Sequence, residues 1–501
     1  MEGFLPDFDF DVIIIGAGVG GLTCGALLAQ RGLKVLVVEK NQKVGGCCTS
    51  FRIKGFTFDI SVQSVGECHR GGRIWRLLDR LNLLKEIHFI RLEPAREYHF
   101  PDRKIRQYSD LDAHIDHLSS QFPGESRGIR EVYSTFAQLF KEISEMPSSL
   151  DWFDAKTFRS RYPLYWKYKD KTLGDLLVQH IVDPRLKTIL SVRSSYALMP
   201  PQWISLVAMS SLEMSYFEGG VYCIKGTMDL FPRLLMQKVV QMGGQVQTWE
   251  EVTRILVKGK KAFGIRTRNG AEYTGKVIVS NCDATLTFSE LLTEEEIPRR
   301  FLSKLRGMQP SFSYYISYLG IQGRLDDVLS CANNEIFSDY DPLREYEAFS
   351  RNQLTPNPSF YLLAPSLVNP GHAGEGFSTL CLSFKVPYGY GRRWGDDVRS
   401  ELSHHLLDKA AAIIPELPKR VVAEADSTPF TIERMTNNRC GAAYGWAQYP
   451  RQAGIYRLNR TTPIENLFLT GHWTAPGGGI AAVVASGEMT SNLILDRLFL
   501  Q

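Results

Sequence analysis

Val12-Ile13-Ile14-Ile15 is an unbroken β-branched run that stops at a cluster of glycines, Gly16, Gly18, Gly20 and Gly21. A run of this kind over Asp11–Ile15 has the pattern of a strand buried on both faces of a parallel sheet. Leu22–Gln30 follows as a helix with small residues facing the strand, and Lys34–Glu39 (KVLVVE) is a second apolar strand. Residues 11–39 thus predict one β–α–β unit. Further on, apolar positions at 230, 234, 235, 239, 240 and 242 make a helical stripe over Thr227–Met242, closed by Gly243-Gly244. Gln245–Trp249, Val252–Val257, Ala262–Arg268 and Glu272–Ser280 read as strands, and Asn269-Gly270 predicts a two-residue hairpin between the last two. Near the carboxyl end Asn466–Thr470 is another short strand, entering a glycine-rich loop ahead of a helix from about Ala481 to Leu498.

The stretches between these pieces have a different pattern. Residues 76–214 are rich in helical periodicity, as in Glu131–Ile143, with many aromatics. Residues 286–454 mix strand-like runs (Phe312–Leu319, Ser378–Val386) with helical ones (Val398–Ile413). The expected fold is α/β: a Rossmann-type dinucleotide-binding domain of discontinuous segments (1–75, 215–285 and 455–501), with a second α+β substrate domain formed by the insertions 76–214 and 286–454. A length of 501 residues with 44% apolar and 22% charged side chains suits two such units and excludes a disordered or fibrous chain.

Charge and cysteine content remove other classes. Lys+Arg 58 against Asp+Glu 54 leaves +4, too balanced to announce a nucleic-acid binder. Nine scattered cysteines form no disulfide framework and point to a reduced compartment. The start is acidic (Glu2, Asp7, Asp9) and the first basic residue is Arg31, the opposite of a signal peptide. Val12–Ala29 is apolar enough to mimic a membrane span, but its five glycines suit a strand–turn–helix; no transmembrane helix is expected. The ten histidines show neither H-E-x-x-H nor an accompanying C-x-x-C, so no metal site is expected.

The glycines carry the first chemistry. Gly16, Gly18 and Gly21 form G-x-G-x-x-G between a strand and a helix. Gly16 allows the turn, Gly18 lets a pyrophosphate approach the backbone, and Gly21 permits close helix–strand packing. The helix start offers N–H groups and the positive end of its dipole to phosphate. Glu39 closes the second strand about 20 residues on, where a carboxylate accepts hydrogen bonds from a ribose. These features together predict adenine-dinucleotide binding.

Two further segments, Lys40-Asn41-Gln42-Lys43-Val44-Gly45-Gly46 and Asn466–Gly471 leading into Pro476-Gly477-Gly478-Gly479-Ile480 and Ala485-Ser486-Gly487, make the chain resemble FAD-dependent amine oxidases and carotenoid desaturases. Gly55–Asp59 (GFTFD), Gly219–Tyr222, Lys225-Gly226 and Val277–Asp283 (VIVSNCD) narrow the resemblance to bacterial phytoene desaturases and carotenoid cis–trans isomerases. The resemblance implies FAD, held by Gly16, Gly18, Val19, Gly20, Gly21, Glu39 and Lys40 at the ADP half. Gly45 and Gly46 are implied near the pyrophosphate or flavin edge, Val252 at the adenine through its backbone, and Gly471, His472, Gly478, Gly479 and Ile480 at the pyrophosphate and flavin. Many relatives carry an acid where this chain has His472, which puts the ribityl hydrogen bond at that position in question.

The activity implied is FAD-dependent oxidation of a long polyene or isoprenoid lipid, foremost carotenoid (phytoene-like) desaturation by hydride transfer to flavin N5, with an apolar tunnel built from the insertions. Alternatives are a cis–trans isomerase using reduced FAD, a retinol-saturase-like reductase, or a non-enzymatic prenyl-binding protein of the same fold. Asp59, Glu213, Glu218 and Tyr222 adjoin matched segments, but none sits in a motif defining an acid or base, and no catalytic residue is assigned. Cys47-Cys48 is read first as small side chains in a crowded loop, with a redox pair as the alternative. Lys156–Lys171 holds six basic residues, one acid and the rings of Phe158, Tyr162, Tyr165, Trp166 and Tyr168. That mixture suits a bilayer headgroup zone, so peripheral attachment at the cytoplasmic side of a membrane is expected; the competing reading packs the rings inward.

Overall fold

A computed structural model of the chain describes residues 8–147, 154–390 and 394–499; Glu2 and Asp7 of the acidic start lie outside the described residues. The β–α–β unit forms where the pattern predicts it: β1 spans Phe10–Ile15, α1 Val19–Gln30 and β2 Val35–Val38. Alternate residues of β1 serve opposite cores. Val12 and Ile14 pack with α1, and Ile13 and Ile15 pack on the other face with Leu36, Val38 and Ile278. That is why the run is apolar throughout instead of alternating.

β1 lies inside a seven-stranded sheet of order Val252–Lys258, Lys261–Thr267, Glu272–Ser280, β1, β2, Gln245–Gln247, with Leu467–Leu469 also paired to Glu272–Ser280. β1 is parallel to both its neighbours, while the first three strands form an antiparallel meander. The hairpin after Thr267 is one residue longer than Asn-Gly predicts. Thr267 N–H donates to the Ala271 carbonyl at 2.9 Å, enclosing residues 268–270, and the Asn269 side chain accepts from Ala271 N–H at 3.0 Å. The asparagine side chain thereby sets the turn, as in Asx turns.

A second seven-stranded sheet draws on both insertions: Val421–Ser427, Ser313–Gln322, Phe377–Val386, Phe360–Leu363, Asn333–Ile336, Arg96–His99 and Lys104–Gln107, in that order. Its two faces differ. Tyr315, Leu319, Leu362 and Leu382 pack beneath the helix Asp396–Ala411 through Leu402 and Leu406. The other face carries, strand to strand in register, Tyr98 beside Glu335, Glu335 beside Tyr361, Tyr361 beside Ser383, and Lys385 beside Tyr314. Helices of the first insertion, including Ser126–Ser144 and Leu206–Phe217, build their own core around Phe136, Leu139 and Met209. Phe288, Leu302, Trp446 and Leu458, from stretches that the sequence division places mostly with the second unit, share the core of the first sheet with Ile13. Among the described residues no helix is long and apolar enough to cross a membrane.

Candidate functional site

Three glycine loops meet at the carboxyl end of β1. The first turns at Gly16 and enters α1, whose N-cap, Gly18, has no side chain to bond the first-turn N–H groups; these stay available to an anion. The second joins it through a bridge between Gly18 and Gly45 and a hydrogen bond from Gly45 N–H to the Ala17 carbonyl at 2.8 Å. Gly46 lies against Gly18. The third loop closes over the top, where a Cβ at Gly20 would lie 3.0 Å from Gly471 Cα. At Gly21 a Cβ would come within 2.4 Å of the Gly16 carbonyl oxygen, so helix and strand approach as only glycine allows. Gly471 has φ +86°, the left-handed region, and donates its N–H to Ser486 Oγ at 3.0 Å. Val19 is buried beside them.

Glu39 is buried at this junction. One carboxylate oxygen accepts from Ala17 N–H at 2.9 Å, and the other from the N–H and side-chain amide of Asn41 at 2.9 and 2.8 Å. Its backbone pairs with Gln247 and Glu250, which brings the start of the Val252–Lys258 strand alongside. Lys40 points elsewhere. Its ammonium donates to the Arg434 carbonyl at 2.7 Å and to the Asn437 side chain, and burial lowers its pKa. Gly478 supports the ring of Tyr444, and Gly479 faces open space ahead of the helix Ile480–Phe499.

His472 is half-buried, and desolvation, then the Arg457 charge, push its pKa down to about 4, leaving a neutral imidazole at physiological pH. Its Nε2 lies 3.3 Å from Asn438 Oδ1, which also accepts from the Trp473 indole at 2.9 Å. Cys47 and Cys48 are free thiols, and burial pushes Cys47 up to about 11. Glu213 pairs with Arg193 at 2.8 Å, and Tyr222 donates to the Gly219 carbonyl at 2.8 Å. Asp59 accepts from Met228 N–H at 2.9 Å, and burial pushes its pKa up to about 7.

Sequence reasoning passed over two organisers of this site. Asn281 stands between the first and third loops, its amide 3.3 Å from the Gly16 carbonyl and its oxygen against Gly471; it lies within VIVSNCD, the only signal that pointed to it. Arg457, fully buried, donates to three main-chain carbonyls, Trp446 at 3.1 Å, His472 at 2.7 Å and Thr474 at 3.0 Å. Burial lowers its pKa to about 9. A fixed cation thereby shapes the terminal loop. No motif marked it.

In Lys156–Lys171 the rings turn inward. Phe158, Tyr162 and Tyr165 are buried in the insertion's core, and Tyr165 Oη accepts from Ile455 N–H at 2.8 Å. Those three cannot reach a headgroup zone, while Lys156, Arg159, Arg161, Lys167 and Lys171 remain exposed. Among the described residues no cluster of His, Cys, Asp or Glu could hold a metal ion.

The junction has the features a dinucleotide requires: uncapped helical N–H groups, backbone approached without Cβ atoms, and a buried carboxylate at the end of β2. Comparison with known proteins agrees. The profile of the flavin containing amine oxidoreductases matches residues 19–495. A phytoene desaturase (neurosporene-forming) of Rhodobacter capsulatus is 25% identical over 97% of this chain and 94% of its own length. An all-trans-retinol 13,14-reductase of Danio rerio is 25% identical over 99% and 88%, and a prolycopene isomerase of an Oncidium hybrid cultivar 26% over 98% and 84%. The crystal structure of an oxidoreductase from Methanosarcina mazei superposes with a TM-score of 0.63, at 16% identity, over 96% of this chain and all of that one.

Proposed function

The chain belongs to the flavin containing amine oxidoreductase family, and from that membership we propose that it binds FAD at the glycine junction and desaturates a long polyene or isoprenoid lipid of the phytoene type. It is a flavin-dependent oxidoreductase of the group that spans carotenoid desaturases, carotenoid isomerases and retinol reductases. The observation that carries the site is the meeting of the loops at Gly18, Gly45 and Gly471 around the buried Glu39. When bound, the flavin supplies a hydride acceptor at N5. Around it the protein's own work is placement and exclusion of water. The uncapped N–H groups of α1 and the start of the Ile480–Phe499 helix would hold the pyrophosphate, Glu39 would accept from the adenosine ribose, and the start of the Val252–Lys258 strand would meet the adenine. Arg457 holds the terminal loop in shape, and neutral His472 offers a hydrogen bond without a charge.

The division into a nucleotide unit (1–75, 215–285, 455–501) and a substrate unit (76–214, 286–454) belongs to this reading, supported by the two sheets and their separate strands. Attachment to a membrane surface belongs to it too, supported by the exposed basic residues of 156–171.

Desaturation removes two hydrogens, so each turnover needs an electron acceptor such as oxygen or a quinone. Isomerisation needs none. The protein is incubated with phytoene, a poly-cis lycopene and a retinol, with oxidised FAD plus a quinone and, separately, anaerobically with reduced FAD. Loss of two mass units in the oxidised arm alone is expected. Unchanged mass with a shifted absorption spectrum in the reduced arm would assign isomerisation instead, and a gain of two mass units from retinol would assign saturation.

A further inference from the structure

We infer that Arg457 balances the negative charge that the flavin ring takes on when it is reduced, and so raises the reduction potential of the bound cofactor; this rests on the reading above, that FAD lies at the glycine junction. Arg457 is 1% exposed. Among the described residues its hydrogen bonds all end on carbonyls, those of Trp446, His472 and Thr474, and no carboxylate pairs with it. Arg193, buried almost as deeply, is held by Glu213 at 2.8 Å. Carbonyl dipoles solvate a cation but leave its net charge in place, and in a dry interior that charge acts over a longer distance than in water. Its field reaches the third glycine loop, where it helps to keep half-buried His472 neutral. A buried cation without a counter-charge is matched by an anion that arrives with the ligand.

FAD has two places for such a charge, the pyrophosphate and the ring after reduction, and the turn above Arg457 tells them apart. On the proposed reading the pyrophosphate lies where Gly471 closes over Gly20. Arg457 sits farther along the loop, beneath Gly477. A Cβ there would fall 3.4 Å from the guanidinium carbon and 2.5 Å from the side-chain nitrogen of Gln448, and φ is +133°, so the turn is open to glycine alone. The side-chain oxygen of Gln448 is buried and has no hydrogen-bond partner. It is an acceptor that lacks an N–H. A pyrophosphate has no hydrogen to give it. The oxidised flavin ring has one, at N3, in the same six-membered ring as N1 and the C2 oxygen, over which the charge of the reduced ring spreads.

Desaturation sends two electrons and one hydrogen from the substrate to N5 and releases the second hydrogen as a proton. The ring thereby gains one negative charge, which it gives up when the electrons pass to the acceptor. A fixed cation near N1 favours the reduced state and leaves the neutral oxidised ring almost unaffected. The Ile480–Phe499 helix, which follows the turn, adds the positive end of its dipole on the same side.

The test is the reduction potential of the bound flavin in the wild type, Arg457→Gln and Arg457→Lys at neutral pH, with the affinity for oxidised FAD measured beside it. The wild type should bind reduced FAD about tenfold or more tighter than oxidised FAD, which places its potential about 30 mV or more above that of free FAD for a two-electron couple. Its reduced flavin should keep the absorption spectrum of the ring deprotonated at N1 at mildly acidic pH, where free reduced FAD takes up a proton. Arg457→Gln keeps an N–H donor for the carbonyls but drops the charge, and should remove that tenfold preference. Arg457→Lys keeps the charge and should retain most of it. A residue that only shapes the loop would weaken both redox states alike in either variant and leave the potential where it was. That result, or a wild-type potential at or below that of free FAD, would overturn the inference with the FAD reading intact. If the wild type holds no flavin, the FAD reading itself falls and takes the inference with it. Should Arg457→Gln not fold, the wild-type potential and spectrum still decide.

Discussion

The glycine junction and the polar face of the second sheet are built on opposite plans. At the junction side chains are removed: Gly20, Gly21 and Gly45 let backbones touch, Gly18 and Gly471 leave room for the Asn281 amide, and the groups offered to a ligand are N–H groups and one carboxylate. On the second sheet side chains are added. Arg96, Glu335, Lys385 and several tyrosines are buried together, each depending on the partners that others supply. On the proposed reading, a dinucleotide meets here a backbone whose form is fixed before it arrives. The other face holds ionised groups out of water, which is stable only while the network is whole. The difference predicts that single changes at the junction act on cofactor affinity, whereas single changes on the polar face act on folding.

The largest effect should come from the buried ion pair on the helices beside the polar face, where Arg193 shares the Tyr196 ring with Arg96. Arg193→Met leaves Glu213 buried and unpaired and should destabilise the protein by about 3–5 kcal/mol. Adding Glu213→Leu to that variant should restore part of the loss, because no lone charge then remains. Denaturant unfolding of both single variants and the double one measures it, and additive losses would mean the two residues do not act as a pair. Next is Gly21→Ala. The added methyl sits 2.4 Å from the Gly16 carbonyl oxygen and must push helix from strand, a strain of about 1–3 kcal/mol. Flavin should be lost on gel filtration while the second sheet, followed by hydrogen exchange, stays protected. A Gly21→Ala protein that keeps its yellow colour would contradict the backbone plan.

The same contrast decides what could be read from sequence. The β–α–β unit was legible because its constraints are neighbours in the chain: four β-branched residues, then glycines, then a helix, within 30 positions. The partners of that unit in the terminal loop came through family resemblance, since nothing local ties Gly471 to Gly20. Strands of the second sheet were legible singly, as Phe312–Leu319 and Ser378–Val386 were, but their polar face was not. Lys385, one residue before the end of the second run, is 2% exposed although nothing next to it in the chain marks it as buried. Arg96, Glu335, Tyr361 and Lys385 are scattered over nearly 300 residues, and only the pairing of strands brings them together. Arg457 was missed for a related reason: its partners are carbonyls, which leave no trace in composition.

Glu39→Ala should have a moderate effect confined to the cofactor. On the proposed reading, removing the carboxylate deletes the acceptor for the ribose and unties Ala17 N–H and Asn41, so FAD affinity should fall by about 1–3 kcal/mol. Titration of the apoprotein with FAD and, separately, with riboflavin sharpens the reading. Riboflavin carries no adenosine ribose, so its weaker binding should be unchanged by Glu39→Ala. If both ligands weaken alike, Glu39 holds the loop instead of the nucleotide.

The smallest expected effect lies outside both regions, on the surface of the first insertion. Phe158, Tyr162 and Tyr165 belong to the core, which leaves any attraction to a bilayer to the exposed cations of 156–171. Charge alone contributes about 1 kcal/mol for each Lys or Arg near an anionic surface and is screened within about 10 Å at ordinary salt. Liposomes containing anionic lipid should therefore float the wild-type protein at low salt and release it as salt rises. Neutral liposomes should not float it at any salt. Lys156→Glu with Lys167→Glu should abolish flotation without changing stability, because both side chains are exposed. Trp166→Ala should change flotation little if attraction is by charge, and strongly if the half-buried indole inserts. A flotation that resists both high salt and the double charge reversal would place the contact elsewhere on the molecule and show that this basic run is only a solvated surface.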